Sequence, residues 1–460
     1  MSQAQQPSGG GKAAVDAARS ARRRRDRRVL ALAGPAVVTL AADPLMGLVD
    51  TAVVGRLGAA PLGALGLAVA VLATVSWVAN FLVFGTTSTV GRAMGAGDSH
   101  TAGRRVSHAA QVALGLGVLV GALLLVTAPG LLRALGAVEE LIAPGSEYLR
   151  VRALGIPLLL LGFVGHGAFR GVADTRTPLV VVALATALNA VLTPWMVLGL
   201  GWGIAGAAWA TLAAQALTVV LLGVLIGRTR LPLRGHPRPG RRELTAMAVV
   251  SRDLVLRTGG LLLGLLVVTS AAARDGAVTA AAHQLLHQTF LVVSFLLDGV
   301  AVAVQTLVAR ALGAGQVAEA RALARVAVRW GLGAGVVIGA VLLAGREVLP
   351  RVLSDDPAVL AAVATTWWLL ALAQVVNAPV FALDGVLFGA EDLRYLRTWT
   401  LLAAVVAAIG AQVALLTGAG LIGLWIAVEA MMVVRLGSLV WRVRGRGWTR
   451  TGAGLVTDPG

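Results

Sequence analysis

A six-residue phrase occurs twice in the chain. RAMGAG, from Arg92 to Gly97, returns as RALGAG, from Arg310 to Gly315, 218 positions later. A second pair keeps that offset: GVADTR from Gly171 to Arg176 and GAEDLR from Gly389 to Arg394. Two phrases matching in register identify a duplicated unit, and a long internal repeat constrains the fold before any single residue is weighed. Composition says what is duplicated. The chain is 57% hydrophobic and 13% charged, with a mean hydropathy of +0.83, whereas soluble domains carry about 25% charged residues. These values specify a polytopic membrane protein.

Twelve apolar stretches can cross ~30 Å of hydrocarbon as α-helix. They fall at 29–55, 61–86, 106–130, 148–170, 178–199, 203–226, 245–271, 277–308, 327–345, 358–388, 396–417 and 420–441. Gly and Pro inside such spans are tolerated because neighbouring helices re-satisfy the freed backbone groups. The expected organisation is a disordered basic tail (1–28), an amino lobe (29–226), a Pro-broken linker (227–243), a carboxy lobe (244–445) and a short tail (446–460). The first apolar run is too long for a cleaved signal peptide, so an uncleaved anchor is expected. Six spans per repeat give both halves one orientation. The fold class is therefore all-α, with two six-helix lobes related by a pseudo-two-fold axis along the membrane normal. A central cavity between the lobes is where transporters of this plan bind substrate.

The net charge of +17 does not mark a nucleic-acid partner, because the basic residues sit in short loops between spans. One Lys (Lys12) stands against 38 Arg, a skew that fits a GC-rich bacterial genome. Arg-rich loops alternate with Arg-poor ones, such as Gly199 to Gly203 and Thr417 to Gly420. The positive-inside rule then places both termini in the cytoplasm, and the expected location is a bacterial inner membrane. With no Cys there is no disulfide, thiolate metal site or thiol catalysis. No Ser-His-Asp, His-x-x-x-His or nucleotide-binding pattern stands out, so no enzyme, cofactor or resident metal is expected.

Ionisable groups at membrane depth mark ion or substrate pathways. They are Asp43 and Asp50 in the first span, Asp298 in the eighth, Asp384 in the tenth and Glu429 in the twelfth, with His166, His283 and His287 as imidazoles. Asp43 and Asp50 lie seven residues apart and share one side of their helix, about 10 Å apart along the axis. Pro44 between them removes a backbone donor and can kink that helix. The duplication supplies a control: at the same offset Asp50 meets Val268 and Asp43 meets Leu261, so the first-helix carboxylates are confined to the amino lobe. Asp298 matches Asn80 and Asp384 matches His166, so those depths stay polar in both halves. These four, with Met46, His283, Gln284 and Asn377, are the candidate substrate-cavity residues. The repeated loop glycines read as structural hinges.

The stretch GLVDTAVVGRLG (Gly47 to Gly58), together with Gly171 to Arg176, GIAGAAWAT (Gly203 to Thr211) and AHQ (Ala282 to Gln284), resembles the MATE (multidrug and toxic compound extrusion) family, in its DinF-like branch. The likeness runs from about Leu30 to Arg442. It implies a twelve-helix efflux antiporter that expels organic, often cationic, compounds in exchange for H⁺ or Na⁺. It also implies a first-helix coupling carboxylate at Asp50 with fifth-helix polar partners at Asn189 and Thr193. Related members can carry an acid at the position of Thr193, so Asp43 is a candidate to replace it. The Na⁺-coupled branch uses carboxylates in the seventh and tenth helices. Here the seventh holds Asp253 near its start, with Arg257 four residues on as a possible partner, and the tenth offers Asn377. Proton coupling is therefore expected, with a monomer rocking its two lobes around a small-molecule site. The rival assignments are a lipid-linked oligosaccharide flippase, which needs a cationic cavity, and a non-transporting scaffold.

Overall fold

Long helices dominate because a backbone in hydrocarbon must satisfy its own hydrogen bonds. The computed structural model describes residues 9–57, 59–135, 139–229, 231–233, 240–353 and 357–452. The side chains of 9–15, 17–18, 41–49, 51, 59–60, 62, 242–244, 246–248, 251, 273 and 277 lie outside the described set. Twelve long helices, counting a bent pair as one, appear among the described residues; ten are long and apolar enough to cross a membrane, and the bent pair makes an eleventh. The twelve are α1 (Gly9–Val54), α2 (Gly63–Gly95), α3 (Ser99–Ala134), the bent α4 (Glu139–Leu154 and Ile156–Gly171), α5 (Arg176–Gly199), α6 (Gly203–Gly227), α7 (Arg241–Asp275), α8 (Ala277–Gly313), α9 (Val317–Ala344), α10 (Pro357–Gly389), α11 (Leu393–Thr417) and α12 (Gly420–Arg444).

The duplication is visible in the backbone. Left-handed residues recur at the repeat offset, Gly97 and Gly315 (φ 78° and 72°) and Ala173 and Glu391 (φ 64° and 58°), and one residue short of it in the last helix, Gly203 and Gly420 (φ 54° and 56°). So do helix contacts. A Cβ added at Gly121 would lie 2.6 Å from the Ala153 carbonyl, and one at Gly339 would lie 2.6 Å from that of Ala371. Small residues thus let α3 approach α4, and α9 approach α10, without a hydrophobic drive between helices in lipid. The two halves differ in the fourth helix of each repeat. The limbs of α4 meet at 48°, since Pro157 cannot donate to a preceding carbonyl and Gly155 opens the turn. α10 runs through the matching positions unbroken.

Each lobe has its own core. Leu65, Leu132, Leu149 and Leu160 anchor the amino lobe, and Leu286, Trp367, Leu383 and Trp425 the carboxy lobe. Apolar side chains such as Val118 and Leu119 on α3 and Val336 and Val337 on α9 are exposed, as lipid-facing positions must be.

The end of the bundle carrying the Arg-rich loops, called here the basic face, is where the lobes meet. Ser88 Oγ donates to the Phe388 carbonyl at 2.8 Å, and Gln305 Nε2 donates to the Phe84 carbonyl at 3.0 Å. The rings of Phe84 and Phe388 stack at 4.8 Å. α1 joins in, packing Val29, Leu32 and Ala33 against Ala303 and Val326 of the carboxy lobe. Its basic run, expected from sequence to belong to a disordered tail, is helical. Arg25 holds Glu319 through Nε (3.0 Å) and Nη2 (2.6 Å). Asp26 pairs with Arg329 and accepts from Trp330 Nε1 at 3.0 Å. These ties, which no local pattern in the sequence announces, fix the helix on α9.

Candidate functional site

Three helices converge on one buried carboxylate. Asp50 sits near the end of α1, 5% exposed. Thr193 of α5 donates its hydroxyl to Asp50 Oδ1 at 3.1 Å, and Thr211 of α6 donates to Oδ2 at 3.1 Å. Asn189, one turn before Thr193, donates from Nδ2 to the Thr211 hydroxyl at 3.2 Å. Asn189 and Thr193 are fully buried. The four-residue spacing of Asn189 and Thr193 puts both on one face of α5. Pro194 then ends regular pairing, and a wide turn follows in which Leu200 N–H reaches the Trp195 carbonyl at 2.9 Å. α6 starts at Gly203, three residues after Leu200, which returns Thr211 to the same depth.

The Thr211 hydroxyl has a choice of acceptor. It lies 3.1 Å from Asp50 Oδ2 and 3.0 Å from the Ala207 carbonyl one turn back, but it owns a single proton. With Asp50 ionised, that proton points at the carboxylate. With Asp50 protonated, the carboxyl can donate to Thr211, which turns its own proton to Ala207. Each protonation state therefore finds partners, which matters because an orphaned buried polar group costs about 1–3 kcal/mol. Two groups of α4 face this site: Tyr148, 2% exposed, and Arg152, within electrostatic reach of Asp50. Arg152 Nη1 donates to Gln215 Oε1 of α6 at 3.1 Å, while its Nε is buried without a hydrogen-bond partner. The Asn189 Oδ1 acceptor is also buried and unpartnered.

The structure thus brings together Asp50, Asn189 and Thr193 from among the sequence candidates. Asp43, Pro44 and Met46 fall outside the described side chains. Thr211 and Arg152 were missed. Thr211 closes the Gly203 to Thr211 phrase, and an arginine inside a span was a signal in itself.

A second polar cluster occupies the carboxy lobe toward the basic face. Asp384 pairs with Arg257 of α7 and accepts from Arg435 of α12 at 2.5 Å. Sequence spacing offered Asp253 as the partner of Arg257. Asp253 instead accepts from Arg397 at 2.6 Å and from Arg252 at 2.9 Å, and Arg257 lies over the Phe388 ring at 4.8 Å. Asp298 feels the charges of Arg257, Asp384, Arg170 and Arg435. Asn377 Nδ2 donates to Glu429 Oε1 at 3.3 Å, a separate buried pair. His283 is within 3.1 Å of the Thr269 hydroxyl and stacks on His287. Gln284 is exposed, His166 is half-buried with Nδ1 unpartnered, and Asn80 stands at the break within α2.

Comparison with known proteins agrees with this architecture. The MatE family model matches residues 35–195 and 261–411. Protein DETOXIFICATION 44, chloroplastic, of Arabidopsis thaliana is 33% identical over 92% of this chain and 82% of its own length. DNA damage-inducible protein F of Escherichia coli (strain K12) is 30% identical over 92% of this chain and 94% of its own. The solved structure described as MATE in the bent conformation superposes with a TM-score of 0.85 at 22% identity, covering 91% of this chain and 96% of that one. Two six-helix lobes, a repeat that survives in the backbone, and matches that span nearly the whole chain lead to one conclusion: this chain belongs to the MATE family of multidrug and toxic compound extrusion transporters.

Proposed function

We propose that the chain exports small organic cations in exchange for protons, by rocking its two lobes, with Asp50 as the coupling carboxylate. The observation that carries this is the buried Asp50 held by Thr193 and Thr211. One carboxylate can hold either a proton or a cationic substrate, and competition between the two makes an antiporter. The hydrogen-bond inventory around Asp50 supports H⁺ over Na⁺, because adding a proton leaves both the carboxyl and the Thr211 hydroxyl with a partner. Asp43 is proposed as an auxiliary acid, since Thr193 cannot ionise. The basic face is proposed to be cytoplasmic, in the inner membrane of a bacterium, and the protein to work as a monomer. The pairing of Arg257 and Arg435 with Asp384 weighs against a flippase, which would need cations free for a pyrophosphate headgroup.

Dye efflux in everted vesicles tests the proposal, with either a pH gradient or a Na⁺ gradient imposed. Efflux driven by the pH gradient, and abolished by Asp50→Asn at normal expression, is expected. Efflux driven only by Na⁺, or unchanged in Asp50→Asn, would overturn it.

A further inference from the structure

The duplicated loop phrases meet each other across the lobe seam. A Cβ added at Gly95 would lie 2.8 Å from Arg310 Cα, and one at Gly313 would lie 2.8 Å from Arg92 Cα. The two copies of the first phrase are thus in backbone contact, each glycine against the arginine of the other copy. Each arginine then reaches the second phrase of the opposite half. Arg92 Nη1 donates to the Ala390 carbonyl at 3.4 Å, and Arg310 Nη1 donates to the Val172 carbonyl at 3.1 Å. Ala390 and Val172 are themselves 218 positions apart. Each accepting carbonyl precedes a left-handed residue, Glu391 or Ala173, a turn that aims it at the seam.

The two arms are unequal. Arg92 is wholly buried, lies 3.8 Å from the Glu391 carboxylate, and donates from Nη2 to the Arg450 carbonyl at 2.9 Å. That last contact belongs to the chain after α12, pinned by Trp448 at 1% exposure and by Gly452 N–H to the Leu312 carbonyl at 3.4 Å. Where the carboxy half supplies Glu391, the amino half has Ala173, so Arg310 has no matching acid there.

We infer that the duplicated phrases form a reciprocal latch, in which Arg92 and Arg310 hold the basic face closed and so set the balance between the two states of the transport cycle. They act as positioning residues, remote from Asp50, and Arg92 is the stronger arm. The inference rests on the rocking proposed above. The contacts of Arg92 and Arg310 and the two glycine–arginine backbone contacts all join one half to the other, so opening this face must break them together. A closed face sealed by backbone contact and charged donors is a discrete state, which a two-state cycle requires.

The native chain contains no Cys, so spin-label pairs can be placed cleanly. One pair is Ala96→Cys with Ala314→Cys, both exposed at the basic face. The other is Leu200→Cys with Leu416→Cys, 43% and 86% exposed at the opposite end. Double electron–electron resonance then reads both distances in the full-length protein. Arg92→Gln is expected to raise the open population at the basic face about tenfold, the loss of one or two charged hydrogen bonds, and to shorten the opposite pair. Arg310→Gln should do the same to a smaller extent. Gly95→Ala, which wedges the seam without removing a charge, should act in the same direction. Unchanged distances in Arg92→Gln and Gly95→Ala, with both proteins monodisperse, would overturn the latch and leave proton coupling standing. A lengthened basic-face pair with no change at the other end would overturn the rocking frame and the latch with it.

Discussion

Replacing Thr211 by Val keeps the volume and removes only the hydroxyl. Asp50 Oδ2 then loses a donor at 3.1 Å and Asn189 Nδ2 loses its acceptor at 3.2 Å. A hydrogen bond to an ionised group contributes about 1.5–3 kcal/mol and one to a neutral group about 0.5–1.5. The ionised carboxylate therefore loses about 1–2 kcal/mol more than the protonated carboxyl does. The sign follows directly: the variant favours the protonated site, so proton release becomes harder. The release equilibrium should shift roughly 5- to 30-fold, which moves a pH profile by about one unit. Efflux should reach half its maximum at a more alkaline pH on the cytoplasmic side, with little change at saturating pH. Thr211→Ser, which restores the hydroxyl, should restore the profile. Efflux measured in everted vesicles across the pH of the outer medium, which bathes the cytoplasmic face, at matched expression, checks this. A profile that does not move, or that moves equally in the Ser variant, would refute the assignment of Thr211 as a donor to ionised Asp50.

Two further outcomes concern stability. Asp384→Leu leaves Arg257 and Arg435 facing one another, 11% and 4% exposed, and should destabilise the protein by about 3–5 kcal/mol; pairing it with Arg435→Leu should recover much of that loss in thermal unfolding in detergent. Asp98 caps α3 by accepting from the Thr101 backbone N–H at 2.8 Å, and its hydrogen bonds with Thr101 hold its carboxyl below the usual carboxylate range. Asp98→Ala should cost about 1 kcal/mol at neutral pH. Because the folded pKa is depressed, this stabilisation is present above the unfolded value near 4 and fades as pH falls through the folded one. The two proteins should therefore converge in acid and differ at pH 7.

The architecture was legible because two of its causes are one-dimensional. Apolar runs of membrane length and a repeat at fixed offset need no knowledge of contacts, and they gave twelve spans and two lobes. Asp50, Asn189 and Thr193, which the structure brings together, stood out partly because carboxylates are rare at depth and partly through a family phrase. Partnerships between helices were not legible. Arg257 has Asp253 one turn away in sequence, yet it turns to Asp384 on α10, because Arg397 of α11 and the adjacent Arg252 already hold Asp253. Thr211 carries no signal by residue type, since threonine hydroxyls inside helices commonly bond back to their own backbone. Only the convergence of α1, α5 and α6 gives it a second acceptor.

The duplication also bears on why the proposed coupling site is confined to one lobe while the seam pairs both copies of its phrase, unequal though the two arms are. A closed face between two like lobes is cheapest to encode as the same phrase twice, each copy answering the other, and Gly95–Arg310 and Gly313–Arg92 follow that logic. A coupling ion needs the opposite. Two equal carboxylate sites would bind independently, and the half-loaded protein would have no single preferred state. Val268 and Leu261 stand where Asp50 and Asp43 would recur, and the polar residues of the carboxy lobe pair internally as Asn377 with Glu429 and Asp384 with two arginines. Among the described residues, the amino lobe alone presents a carboxylate held by two hydroxyl donors. Placing a carboxylate at the mirrored position, Val268→Asp, should therefore not create a second coupling site, because Val268 is fully buried and an isolated buried carboxylate neutralises rather than cycles. The proton-to-substrate ratio, measured by parallel pH and dye fluorescence, should stay at its parental value; a doubled ratio would show that a carboxylate alone, without the ring of hydroxyl donors, is enough to make a coupling site.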